Sequence, residues 1–338
     1  MLEPSRLPVE LFAMVIDYAT GGNSDVAALC NLSLVSRQWY AALNARVYSR
    51  WLYDGELHSI SSLWKFLRSI LRHRRIADRV YELKIRNWTF GLVHRRSRLV
   101  LSEDDLDLAQ NAIRTAGLQR IETSILKALR KADPRALMAL LSVNLRNLTT
   151  LYAHLPETDI FLAEVLRKAV ESRREQPQND YPPLHSLREA HLTSAWNYRQ
   201  DFRARHQYRL ELNHLWPIFQ LPNIQRLSVS DFESLGASNR FGDSFKTSSI
   251  TELTLIHCHD SLLVVPDTIA LLTLPKKLTK LSFYLNDCDL FGDRNQISNA
   301  DLWNGIRQFE DCIEHLDIYR DCTGFDVPSN LCLMRLPI

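Results

Sequence analysis

Apolar and polar positions along this chain fall into a short pattern that recurs. From residue 76 onward the motif apolar-x-x-apolar-x-apolar occurs seven times. The copies are Val80-x-x-Leu83-x-Ile85, Leu148-x-x-Leu151-x-Ala153, Leu187-x-x-Ala190-x-Leu192, Ile224-x-x-Leu227-x-Val229, Ile250-x-x-Leu253-x-Leu255, Leu278-x-x-Leu281-x-Phe283 and Ile313-x-x-Leu316-x-Ile318. Alternation around the central residue predicts a short strand with one face inward. The first apolar residue turns the chain into the core. One such unit cannot bury its face alone, so neighbours must stack into a curved parallel sheet. The central positions are separated by 68, 39, 37, 26, 28 and 35 residues, and the first gap leaves room for a missing copy or a helical insertion.

The later spacings resemble the period of leucine-rich repeats, in an irregular form. That repeat places an Asn or Cys three residues after the last strand position, where Cys258 and Asn286 stand. Helical spacing fills the intervals. Ile125 to Leu141 reads as one helical stretch and Phe161 to Val170 as another, both on the convex side. Glu171 to Pro183 and Gly236 to Ser249 read as exposed loops. Trp196, Tyr198, Phe202, His206 and Tyr208 lie in a polar stretch that is either a recognition surface or ordinary loop packing. The apolar stretch Leu331 to Ile338 is unusual for a solenoid end, which needs a polar cap; three readings stand open: it folds back as a cap, something covers it, or the chain is incomplete.

Ahead of the repeats, Leu63, Phe66, Leu67, Ile70 and Leu71 make an amphipathic helix behind Ser61-Ser62, read as its cap. Its opposite face carries Lys65, Arg68, Arg72 and Arg75. The favoured reading is a solvated face whose last cations complement the helix dipole; a nucleic-acid patch is the less favoured one.

The first fifty residues predict three short helices. Pro8 opens the first, with Leu11, Phe12, Val15, Ile16 and Ala19 on one face, and Gly21-Gly22 ends it. Ser24 or Asp25 caps the second and Ser36 the third, which carries Trp39, Leu43 and Val47. Leu7-Pro8-Val9-Glu10-Leu11, Ile16, and Leu32-x-Leu34-Val35-Ser36-Arg37-Gln38-Trp39-Tyr40 together resemble an F-box of the fungal type, with Gly21-Gly22-Asn23 slightly longer than the family turn. The resemblance implies docking on the Skp-type adaptor of a cullin-containing ubiquitin ligase. It carries Leu7, Pro8, Leu11, Ile16, Leu32, Val35 and Trp39 over as adaptor contacts, some shared with the domain's own core.

The expected fold is therefore α/β: an N-terminal three-helix F-box (1–50), a connecting amphipathic helix (51–76), and an irregular leucine-rich-repeat-like solenoid with a curved parallel sheet (77–338). Composition narrows the chemistry. Ten glycines in 338 residues, with no GxGxxG or GxxxxGK[ST], argue against a phosphate cradle. Six scattered cysteines form no CxxC pair. No apolar run reaches a membrane span, and no secretory signal is read, so a reducing cytoplasmic or nuclear setting is expected. Asp287-x-Asp289 lacks the later ligands of a calcium loop. His257-Cys258-His259 alternates on a strand without convergent ligands. No cofactor and no catalytic residue is expected. The expected role is a non-enzymatic adaptor holding a protein substrate on its repeats. The alternatives are an F-box scaffold outside a ligase and, below that, a hidden enzyme in the repeat region.

Overall fold

The computed structural model describes residues 11, 14–16, 18, 26–86, 99–156, 158–175, 182–194, 210–230, 232–233, 247–259, 271–286 and 299–321. Leu7 and Pro8, residues 195–208, the loop at 287–298 and the apolar tail at 331–338 lie outside them.

All seven motif copies become strands of one sheet. They are β2 (Glu82–Arg86), β3 (Thr150–Leu155), β4 (Glu189–Ser194), β6 (Arg226–Ser230), β8 (Glu252–His259), β9 (Lys280–Asn286) and β10 (His315–Asp321). An eighth strand, β1 (Arg50–Asp54), stands ahead of them. The order is β1-β2-β3-β4-β6-β8-β9-β10 and every pairing is parallel. The fold is thus mixed, with helices beside a single large all-parallel sheet. Two-residue strands β5 (Leu210–Glu211) and β7 (Phe232–Glu233) pair separately.

Register follows the motif. Trp51, Leu83, Leu151, Ala190, Leu227, Leu253, Leu281 and Leu316 are partners across successive strands. Apart from Trp51 and Leu316 at the two ends, this row is buried. β1 escapes the sequence pattern because its copy is aromatic, Tyr48-x-x-Trp51-x-Tyr53, and abuts a helix. β8 carries a register shift: Ile256 faces Tyr284 and Cys258 faces Leu285. The extra residue, His257, interrupts the strict alternation expected across His257–His259.

Each unit is joined to the next by the same backbone device. The carbonyl two residues before the central position accepts two N–H groups of the following unit. Tyr81 O receives Thr149 N at 2.8 Å and Thr150 N at 3.0 Å, and the arrangement repeats at Thr149, Arg188, Gln225, Thr251 and Thr279. The hydroxyls of Thr149, Thr251 and Thr279 donate to the same carbonyls. A polar ladder two residues upstream does related work: Asn147 donates to Asp78 O at 2.7 Å, Asn223 to His185 O at 2.8 Å and Ser249 to Pro222 O at 2.9 Å. Polar satisfaction thus precedes the strands; the side chains of Cys258 and Asn286, expected to provide it after them, lie outside those described.

Helices α1 (Val26–Ser33) and α2 (Arg37–Ser49) precede β1. After it come α3 (Ile60–Arg72), the single turn α4 (Arg74–Ala77), α5 (Glu103–Thr115), α6 (Glu122–Arg130), α7 (Pro134–Asn144), α8 (Ile160–Glu175), α9 (Leu212–Leu215) and α10 (Asn299–Arg307). The acidic run after Ser102 is a helix start, with a reciprocal Ser102–Asp105 capping box. α5 ends where Gly117, at φ +73°, makes the left-handed turn. The stretch expected as one helix over 125–141 is two. Ala132 adopts φ +56°, Asp133 caps the next helix, and Pro134 occupies its first turn. Residues 171–175 continue α8 rather than starting a loop.

The segment 51–76, expected as a connector, belongs to the body. β1 pairs with β2, and α3 buries Ile60, Leu63, Trp64, Leu67 and Ile70 in the core that holds the strands. Its N-cap is Ser59, whose side chain makes no capping bond, rather than Ser61 or Ser62. One continuous core joins the inward strand residues to these helices. A second, separate cluster holds, among the described residues, Ile16, Leu29 and Leu43, with Leu32, Trp39 and Val47 packed against it.

Candidate functional site

Two surfaces stand out. The first is the outer face of the sheet, where side chains at alternate strand positions are partly exposed among the described residues. The residues flanking each central position supply it, so the polar positions of the motif already marked this face in the sequence. No individual residue of it had been singled out.

Across five strands these side chains form one network. Glu82 lies between Arg50 (2.8 Å) and Lys84 (2.8 Å). Glu189 lies between Arg226 (2.9 Å) and His191 Nε2 (2.7 Å). The His191 ring stacks on Tyr152, centroids 4.2 Å apart and 2° from parallel, and Lys84 Nζ sits 4.6 Å from the Tyr152 centroid. The arrangement is nearly palindromic about Tyr152. Each charge is matched by its neighbour, as cross-strand pairing favours. Partly exposed pairs of this kind add little stability, about 0–1 kcal/mol each; their effect is to hold the Tyr152–His191 stack in place.

Above this network a groove of about 540 Å³ opens, lined among others by Asp54, Glu56, Arg86, His154, Thr193 and Ser230. Burial holds the His154 imidazole below its ordinary range, the Arg86 guanidinium adds to that, and Asp54 opposes it. The groove thus offers acidic, basic, hydroxyl and neutral imidazole groups on rigid strands. Ser228 is the register partner of His191, yet no hydrogen bond joins them, so a nucleophile–base contact is not formed here. Among the described residues no His, Cys, Asp or Glu cluster fits a metal ion, and no helix is long and apolar enough to cross a membrane.

The second surface is the N-terminal helical unit. Ser36 caps α2 by accepting from Trp39 N at 3.2 Å, as the sequence predicts. Leu11 and Val35 are exposed, at 47% and 65%. Leu32 and Trp39 are half-buried against the small core, and Ile16 is buried within it. The predicted contact set therefore divides into surface, shared and core residues. Met14, Val15, Tyr18, Leu34 and Tyr40 extend the exposed apolar surface beyond that set. Scattered apolar residues on a surface are ordinary; here they are concentrated on one short unit.

No family model matches the chain, and no curated protein matches it.

Proposed function

We propose that this chain is the substrate-recognition adaptor of a Skp–cullin–F-box ubiquitin ligase. On this reading the N-terminal helices bind the Skp-type protein, and through it the cullin. The later units form a leucine-rich-repeat-like solenoid that holds a protein substrate. The setting is the cytoplasm or nucleus. The observation that carries the reading is the concentration of exposed apolar side chains around residues 11–40, coincident with the F-box-like sequence. Helix-in-groove recognition uses apolar anchors at this spacing. The polar face, with its preorganised Tyr152–His191 stack, supplies fixed groups for a partner of the repeats.

An adaptor of this kind contributes proximity: it raises the effective concentration of a substrate lysine near the charged carrier enzyme. Co-expression with a Skp-type protein and size-exclusion chromatography tests the reading. A stoichiometric complex is expected, and Leu11→Asp with Val35→Asp should abolish it without unfolding the chain. A native chain that ignores the adaptor overturns the proposal.

A further inference from the structure

Charge is unevenly distributed along this chain. Residues 60–98 contain eleven Lys and Arg against two Asp and Glu, a net of +9, so the remaining residues sum to −7. The described part of that segment is α3, the turn α4 and β2. Lys65, Arg72, Arg74 and Arg75 are exposed there. Among the described residues none of these four makes an ion pair.

Elsewhere Arg50, Arg114, Arg135, Arg167 and Arg226 each hold a carboxylate, while Arg130, Lys131 and Lys276 are exposed without an ion pair among the described residues but lie outside this basic segment. The acidic first turn of α5 packs near α3, but reaches it only through Asp105, 3.1 Å from Arg68. The dipole of α3 accounts for Arg72 in its last turn. It does not account for Lys65, a full two turns earlier, or for Arg74 and Arg75 beyond the helix end.

The core sets what kind of polyanion fits. The aromatic residues of α3 are turned away from the cations: Trp64 is buried, and Phe66 stacks on Trp51 at 3.9 Å between centroids. The helix therefore offers no free ring on which a base would stack, the usual source of single-strand affinity. What remains is one ammonium and one guanidinium two turns apart on α3, with two further guanidinium forks just beyond its end, and such forks pair bidentately with carboxylates. We propose that the exposed face of α3 and the turn after it bind an acidic protein segment, a run of Asp and Glu side chains. This does not rest on the adaptor reading.

The test is fluorescence anisotropy of a labelled Glu-rich peptide of about 20 residues with the full chain, over a salt series. Binding should weaken at least about tenfold as salt rises from roughly 50 to 200 mM, because exposed charges are screened. The triple variant Arg72→Glu, Arg74→Glu, Arg75→Glu should lose at least about tenfold in affinity. A control triple with the same charge change on other exposed cations, Arg130→Glu, Lys131→Glu and Lys276→Glu, should retain it. Circular dichroism checks that both fold, and Lys65→Gln with Arg72→Gln provides a milder second variant that should give an intermediate loss. Equal losses in both triples, no loss in the first, no binding at all, or tighter binding of a DNA duplex of matched charge each overturn the proposal.

Discussion

The N-terminal helices and the sheet body solve the same problem differently. Both are built from short elements that cannot bury their apolar faces alone. In the body each strand hands its exposed edge and inward face to the next unit, and one core runs from Tyr53 to Ile313. In the helical unit the described residues that are buried are Ile16, Leu29 and Leu43, in a cluster of their own. Leu34, Val35 and Tyr40 stay in water, with Leu34 82% exposed. Stacking covers the apolar face of each strand; these side chains of the helical unit stay uncovered. The comparison teaches where this molecule has surplus apolar surface, and so where association is most favourable.

The largest test of that contrast is Leu253→Asp. Leu253 is fully buried, in a row flanked by Leu227 and Leu281. An unpaired carboxylate there should cost more than about 4 kcal/mol, and thermal melting should show loss of the body's cooperative transition. An unchanged curve would remove the continuous core from the argument.

A second test uses the body's own buried charge. Asp159 caps α8, with Oδ1 accepting from Phe161 N and Leu162 N at 3.0 Å, while Oδ2 is buried without a partner among the described residues. Burial pushes its carboxyl up to about 6, against the pull of those N–H groups and Arg135. A carboxyl raised in the folded state favours folding when protonated. The contribution of Asp159 to stability should therefore be greatest below the ordinary value of 3.8 and fall as pH rises through about 6, by roughly 3 kcal/mol at 1.36 kcal/mol per unit, whereas Glu122 and Glu164, held below the usual carboxylate range by Arg114 and Arg167, contribute in the opposite direction. Asp159→Asn keeps an oxygen for the cap and should flatten the profile over that window in denaturant titrations. A variant with the same slope as the native chain would place the titration elsewhere.

Leu43→Ala addresses the small core. It should cost the helical unit about 2–3 kcal/mol and speed proteolysis within residues 26–49, while the main melting transition stays in place. A matching drop in the main transition would mean that the two cores are one cooperative unit. The smallest effect on stability is expected from Leu34→Asp with Val35→Asp, within about 0.5 kcal/mol because both are exposed. The same change should eliminate binding of a Skp-type protein. Retained binding would leave the exposed surface without its proposed role.

Much of the body was legible in advance. The seven central residues identified from the motif all lie in one register row, because a period-2 pattern permits only one face to be buried. β1 was not legible, since Trp51 and Tyr53 carry the inward positions with aromatic rings and follow a helix without a break. The helix break at Ala132 was hidden for a different reason: alanine is a good helix former, and only the local backbone shows it turning left-handed. At the N-terminal site the sequence marked the Ser36 cap and the apolar positions. It did not separate Ile16, which is core, from Val35, which is surface: the spacing Val26, Leu29, Leu32, Val35 reads as one helix, but α1 ends at Ser33 and leaves Val35 in the turn beyond it.

By itself the sequence determined the strand positions, their shared inward face and the apolar excess of the first helices, since these follow from local periodicity and side-chain type. Only the tertiary structure decided which side chains meet across strands. Glu82 between Arg50 and Lys84, and His191 on Tyr152, join residues on neighbouring strands, from 32 to 39 positions apart in the chain where they cross strands. Such contacts depend on how units of unequal length stack. The motif aligns the central positions, but the pairs form only once the continuous core beneath the sheet has brought units of unequal length side by side.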